Sequence, residues 1–203
     1  DVIQSNPEKF AFKKELKQLD DLNKIKIIRS IIDKVAENGK SSLVTFGDRY
    51  YYQRSILDSI QALKREGKKA NELKEICQKV LAELEANPEL NKKTGKPLGK
   101  YTDKVNKYTK NLELAEIYQL YTDALTEEGF YDYEDMILFV IDKLKTDDEL
   151  LASLQEKYLY VLVDEYQDTN GAQNEILKVL GSFDTRPNIF AVGDDDQAIF
   201  RFQ

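Results

Sequence analysis

The chain has 203 residues, 41% hydrophobic and 33% charged, with a net charge of −7. That composition excludes disorder, and the acidic balance argues against a protein that coats nucleic acid with one basic face. No apolar run approaches the roughly 18 residues of a membrane span, there is no secretory signal pattern, and the absence of His with a single Cys rules out zinc centres and His-based triads.

Any metal here must therefore be hard and bound by oxygen, which points to Mg²⁺. The lone Cys77 cannot form an intrachain disulfide, fits a cytoplasmic location, and shares helical spacing with Leu73, Ile76 and Val80, so it reads as a packed thiol. The first residue is Asp1 rather than Met, and the sequence stops at Gln203 just after an apolar strand, so it reads as an excised piece of something longer. Charge is uneven along it. Residues 92–110 hold seven lysines against one acid, Asp103, whereas residues 126–175 hold fourteen acids against three lysines. Such asymmetry predicts different tasks for the two halves.

In chain order, Leu19, Leu22, Ile25, Ile28, Ile32 and Val35 keep a helical stripe that Asn38-Gly39 can cap. Asp48 to Glu66 is expected to be a helix carrying Ile56, Ile60 and Leu63, stopped by Gly67. The triplet Tyr50-Tyr51-Tyr52 at its start is read as partly buried, with a stacking platform as the alternative. Ala70 to Ala86 is a further helix, ending before Pro88 because a residue preceding proline avoids helical geometry. Asn91 to Lys110, with Gly95, Pro97, Gly99 and the lysines, is expected to be an exposed loop, followed by a helix from Asn111 to Glu128 that ends at Gly129.

Beyond Gly129 the pattern changes. Asp132 can cap a helix bearing Met136, Ile137, Val140, Ile141 and Leu144, and Thr146-Asp147-Asp148-Glu149 has capping-box spacing for a short helix through Leu154. Tyr158 to Val163 reads as a buried strand, Asn170-Gly171-Ala172-Gln173 opens another helix, and Ile189 to Val192 is a second strand. Strand, helix and strand with short connections form a βαβ unit of a parallel sheet. The fold class is therefore mixed: a mainly α-helical unit over 1–128, then part of an α/β unit over 129–203.

Open parallel sheets bind ligands at the carboxyl ends of their strands. Here both strands run into acids at that edge, Asp164-Glu165 after the first and Gly193-Asp194-Asp195-Asp196 after the second. Converging carboxylates repel and call for a cation or a proton, although acids also suit a solvated strand end. Phosphoryl transfer accounts for the residue types: Asp164 to hold Mg²⁺, Glu165 to orient or deprotonate a water, and Gln197 to sense a terminal phosphate. The phosphate cradle G-x-x-x-x-G-K-[ST] is missing, since Gly95-Lys96-Pro97-Leu98-Gly99-Lys100-Tyr101 is one residue short, follows no strand and has Tyr where the hydroxyl belongs.

The segments "DEYQDTN" (164–170) and "VGDDDQAIF" (192–200), in that order, resemble motifs II and III of the UvrD/Rep family of superfamily 1 DNA helicases. Upstream, "YDYEDMI" (131–137) is similar to the "DFDDL" segment that precedes motif II in that family. The motifs cover 130–203, and 1–128 is assigned by position to the helical subdomain, called 1B, inserted in the first RecA-like domain. The resemblance implies ATP and Mg²⁺ as cofactors and DNA as partner, with Asp164 on the metal, Glu165 as general base and Gln197 on the γ-phosphate. It also implies single-stranded DNA against Phe200, Arg201 and Phe202. Many relatives have Tyr, Trp and Arg at positions 200, 202 and 203, where this sequence has Phe, Phe and Gln; stacking survives that change, but a hydroxyl and a cation are lost. The implied enzyme is a 3′→5′ unwinding motor, with the isolated 203 residues inactive for want of the phosphate loop.

Two other classes compete with this one: a non-catalytic helical interaction module, and a Mg²⁺-dependent nuclease using Asp164, Glu165 and Asp194. Neither has a use for Gln197 with aromatics at 200 and 202. The lysine-rich 92–110 reads equally as a phosphate-contacting segment or a solvated loop.

Overall fold

The computed structural model describes residues 2–10, 16–37, 39, 41–45, 47–90, 94–183 and 188–194. In chain order its elements are α1 (Val2–Ser5), a 3-10 turn (Pro7–Phe10), β1 (Lys17–Gln18), α2 (Asp21–Glu37), α3 (Gln53–Arg65), α4 (Ala70–Ala86) and α5 (Gly99–Glu128). There follow β2 (Phe130–Tyr131), α6 (Tyr133–Thr146), α7 (Asp148–Lys157), β3 (Val161–Val163), α8 (Gly171–Leu180) and β4 (Ile189–Ala191). The result is mixed but dominated by helix, with two small parallel sheets. Among the described residues no helix is long and apolar enough to cross a membrane.

The chain divides into two compact units. One comprises 16–63 and 68–131, the other 1–15, 64–67 and 132–203. The first is helical. Ile28 and Ile32 of α2, Ile60 of α3, and Ile117 and Tyr121 of α5 close a core from which water is almost wholly excluded. Tyr50 and Tyr52 pack against this core as half-buried rings while Tyr51 stays exposed, which agrees with partial burial of the triplet. Cys77 on α4 is fully buried, and burial pushes its thiol upward, as expected of a packing residue. Gly129 ends α5 in the left-handed region (φ 77°), and its carbonyl accepts from the Lys17 N–H at 2.9 Å, starting the β1–β2 pair.

Residues 99–110 are not a loop. α5 begins at Gly99, directly after Leu98 in extended conformation, and runs unbroken for 30 residues. The breakers Gly95, Pro97 and Gly99 all precede its first turn or open it, and no further one occurs before Gly129. The Tyr101 hydroxyl donates to the Leu84 carbonyl at 3.0 Å, tying this first turn to the end of α4. Lys100, Lys104, Lys107 and Lys110 therefore decorate a helix surface, all exposed.

In the second unit, α6 is opened by a reciprocal capping box between Asp132 and Asp135. Thr146 does not cap α7; its hydroxyl donates back to the Asp142 carbonyl at 2.9 Å, and Asp147 accepts from the Leu150 N–H at 3.0 Å instead. Phe10 packs with Leu144, Leu150 and Leu154, which explains why the first residues belong to this unit. α8 joins β3 to β4 in the expected parallel pairing, with Leu162 opposite Phe190. The strand is shorter than Tyr158–Val163 and is not buried: Leu162 is 78% and Phe190 64% exposed. Among the strand residues only Val161, Val163 and Ile189 are half-covered, whereas parallel sheets are ordinarily covered on both faces.

Candidate active site

β3 delivers Asp164 and Glu165 to its carboxyl end, and β4 ends beside them at Val192-Gly193-Asp194. The Val192 N–H donates to the Val163 carbonyl at 2.8 Å and the Tyr166 N–H to the Val192 carbonyl at 2.9 Å, so the two strand ends are stitched one residue beyond the ladder. Asp164 and Glu165 are both exposed. The Glu165 N–H donates to Asp164 Oδ1 at 3.0 Å, which fixes one carboxylate oxygen. Glu165 sits at φ 50°, ψ 46°, the only described non-glycine residue with positive φ. That conformation costs of the order of 1–2 kcal/mol in an L-residue, and such strain gathers where a side chain must be aimed.

A 3-10 turn (Tyr166–Asp168) follows, then Asn170, which caps α8 in the expected reciprocal box with Gln173 at 2.9 and 3.0 Å. Thr169 donates to the Tyr166 carbonyl at 2.6 Å, anchoring the turn to the start of that helix. Alongside lies a groove of about 460 Å³ lined by apolar residues such as Val163, Ile176 and Leu177 and by Asp164, Glu165 and Asp168. A volume of that size suits a small ligand with a few polar anchors.

One residue of the site has no counterpart in the sequence reading. Gln167 Nε2 donates to Glu165 Oε2 at 2.6 Å, while its Oε1 accepts from the Asp194 N–H at 2.9 Å. Its only sequence signal is an amide two positions after the acid pair, which is weak by itself.

Hard oxygen donors at a strand end fit Mg²⁺ in the form that accompanies a nucleotide, held by one or two carboxylates with waters and phosphates completing its octahedron. Among the described residues no group of three or more His, Cys, Asp or Glu side chains is placed to hold a metal ion. Gln197, Phe200, Arg201 and Phe202 lie outside the described residues, as do Asp195 and Asp196.

A second charged cluster lies in the same unit. Lys64, 1% exposed, places its ammonium 2.6 Å from both Asp132 Oδ2 and Asp135 Oδ1, and Arg65 meets Glu134 at 3.2 Å. One cation between two buried carboxylates leaves a net negative charge, and burial pushes Asp135 up to about 6. The next turn approaches α8 closely: a Cβ on Gly171 would fall 2.8 Å from the Glu66 carbonyl oxygen. Neither contact was legible in the sequence, since Lys64 lies 68 residues from Asp132.

Asp164 and Glu165 thus lie at the C-terminal edge of a parallel βαβ unit whose two strand ends are tied to each other, the edge at which open parallel sheets bind ligands. The sequence profile of the UvrD/REP helicase N-terminal domain matches residues 1–203, and the chain belongs to that family. It is 32% identical over 140 residues to the ATP-dependent DNA helicase Rep of Buchnera aphidicola subsp. Acyrthosiphon pisum, covering 64% of this chain and 21% of that protein. It is 42% identical over 80 residues to a probable DNA helicase of Mycoplasma pneumoniae, with 39% of this chain and 15% of that protein covered. With the ATP-dependent DNA helicase PcrA of Leuconostoc citreum it shares 38% identity over 87 residues, covering 43% of this chain and 11% of the relative. The chain thus spans less than a quarter of the length of each of these relatives.

Proposed function

We propose that the chain forms part of the motor of an ATP-dependent DNA helicase, a cytoplasmic enzyme that moves 3′→5′ on single-stranded DNA and unwinds duplex ahead of it. Of residues 1–128, 16–63 and 68–128 act as the inserted, 1B-like helical subdomain, whereas 1–15 and 64–67 pack with the α/β unit; residues 129–203 supply the motif II and III part of a RecA-like domain. The observation that carries this reading is the pair Asp164-Glu165 stitched to the end of β4, in a chain matched throughout by a helicase family profile. The open face of the β3–β4 sheet supports it too, because parallel sheets are ordinarily covered on both sides.

In this mechanism Asp164 holds Mg²⁺ through its carboxylate, and Glu165 accepts the proton of the water that attacks the γ-phosphorus of ATP. Bound Mg²⁺ supplies charge neutralisation of the β- and γ-phosphates. Gln197 contacts the γ-phosphate and passes its presence on to the DNA-facing residues. Phe200 and Phe202 stack on bases, each stack being worth about 1–3 kcal/mol, and Arg201 meets the phosphate backbone. The phosphate loop and a second motor domain come from the rest of the protein, so the 203 residues alone neither hydrolyse ATP nor unwind DNA.

The test is Glu165→Gln in the full-length protein. DNA-stimulated ATP hydrolysis should fall by about 10²–10⁴-fold, the contribution of a positioned general base, while ATP binding persists. Turnover within about threefold of wild type in that variant, or DNA-stimulated turnover by the isolated 203 residues, would sink the proposal.

A further inference from the structure

We propose that Gln167 is a positioning residue for hydrolysis: its carboxamide clamps the Glu165 carboxylate to the backbone at the end of β4, and Gly193 is glycine to make room for that clamp. The inference deepens the helicase reading and rests on Glu165 being the base.

The chemistry of the two partners selects an amide. A carboxylate only accepts and a backbone N–H only donates. A side chain that spans them must therefore offer a donor to one and an acceptor to the other, which glutamine does with Nε2 at 2.6 Å from Glu165 and Oε1 at 2.9 Å from the Asp194 nitrogen. The same requirement fixes the orientation of the amide, because the flipped form would face oxygen with oxygen. Glutamate at 167 would set two carboxylates against each other, and methionine would satisfy neither partner.

Gly193 is an independent witness. A Cβ built there would lie 2.7 Å from Gln167 Oε1 and 3.2 Å from Tyr166 Cβ, closer than side-chain carbons approach such atoms. With the amide in place, the backbone after β4 passes this close to the turn after β3 because position 193 carries no side chain. The nearest obstacle is the tip of a movable amide, so an alanine there would push the clamp aside rather than unfold the strand.

Glu165 makes the restraint necessary. Its backbone is held in the left-handed region while its side chain is exposed, so nothing in the packing limits its rotamers. A base that wanders spends little time within reach of the attacking water, and positional precision is a large part of what such a group contributes. The clamp reaches Asp194, just past the end of β4 and inside the second motif (192–200). A shift of that segment is thereby transmitted to the base through two hydrogen bonds.

The experiment uses the full-length protein with three variants: Gln167→Met, Gln167→Glu and Gly193→Ala. Turnover is followed from about pH 5.5 to 8.5, a range that brackets the titration of a crowded carboxyl, alongside hydrogen exchange of the peptide containing Asp194. Gln167→Met should lower kcat about 10–100-fold, the usual effect of losing an orienting partner, with KM for ATP changed less than about threefold, since no phosphate contact is lost. Exchange at Asp194 should accelerate. Gln167→Glu should be equally impaired at the alkaline end but regain activity relative to wild type as pH falls, because a protonated Glu can donate to Glu165 again. Gly193→Ala should resemble Gln167→Met, and the double variant should be no worse than the poorer single one, as groups acting through one contact are not additive.

A Gln167→Met enzyme with wild-type kcat, or a Gln167→Glu deficit independent of pH, overturns the proposal. These outcomes are separable from failure of the helicase reading. If Glu165→Gln leaves turnover intact, that reading falls. If Glu165→Gln is inactive and Gln167→Met is not, only the clamp falls.

Discussion

The helical unit and the α/β unit bury different things. In the first, Ile28, Ile32, Ile60, Ile117 and Tyr121 are at most 1% exposed, and every described residue that is buried and charged lies in the other unit. There Lys64, Asp132, Glu134 and Asp135 are all buried, while Leu162 and Phe190 on the sheet are left open. The fully buried core of the helical unit is apolar, and its ion pairs lie outside that core. The α/β unit is joined by an ion cluster at the root of α6 and exposes the kind of surface a parallel sheet normally covers. Packing free energy spreads over many contacts, whereas a buried ion cluster concentrates it in a few groups that fail together.

The largest expected effect follows from that concentration. Lys64→Met removes the cation shared at 2.6 Å by Asp132 and Asp135 and strands two carboxylates in a buried site. The α/β unit should lose about 3–5 kcal/mol, read by urea unfolding with hydrogen exchange assigning the loss to 132–180. A loss below about 1 kcal/mol, the level of an ordinary surface pair, would show that the cluster is not what joins this unit. Ile28→Ala is the counterpart in the helical unit, where it should cost about 2–5 kcal/mol. Exchange should then rise over α2, α5 and residues 53–63 of α3, which share its core, and stay unchanged over 132–180.

A pH titration sharpens the contrast. Asp135 has its carboxyl raised from 3.8 to about 6, chiefly by burial, against the pull of Lys64. The folded state thus holds a proton that the unfolded chain releases at lower pH. The associated stability is fully present below the unfolded value and is lost as pH rises through about 6. Asp147 and Asp33 act in the opposite sense, because the Leu150 N–H and Arg49 respectively lower their carboxyls. The comparison must therefore be with Asp135→Asn: the unfolding free energy of wild type minus that of the variant should decline between about pH 4 and pH 7. A flat difference would mean that the cluster holds no extra proton.

Local signals carried most of the elements. The limits of α4, the end of α5 at Gly129, the caps at Asp132 and Asn170, and the parallel strand pair all rest on residues close in sequence, and these were legible. The start of α5 was not, because three breakers around its first residue, Gly99, made a lysine-rich stretch look like loop when its own residues are ordinary helix formers. In the site, the position of Asp164 and Glu165 at a strand end follows from pattern alone. The Gln167 clamp depends on a backbone N–H 27 residues away, and the Lys64 cluster on partners 68 and more residues away. No periodicity encodes such pairings. The burial of the strand was overestimated for a related reason: an apolar run such as Tyr158 to Val163 shows that a segment can be covered, and covering it takes other parts of the fold.

The smallest effect in the isolated chain is the most informative about that open face. Leu162 projects from β3 opposite Phe190 and is 78% exposed, so Leu162→Asp removes little packing that the 203 residues themselves provide. Its cost to their unfolding should stay within about 0.5 kcal/mol, the range of ordinary surface substitutions. In the full-length protein, where the proposed motor domain covers the sheet, the same change would deny a leucine its burial and should cost at least about 2 kcal/mol. Melting both proteins with and without the substitution gives the comparison directly. Equal small costs would mean that the face stays open in the whole protein, removing one of the supports for placing this βαβ unit inside a larger sheet. A cost confined to the full-length protein would identify the exposed strand face as an internal surface, covered by other parts of the protein.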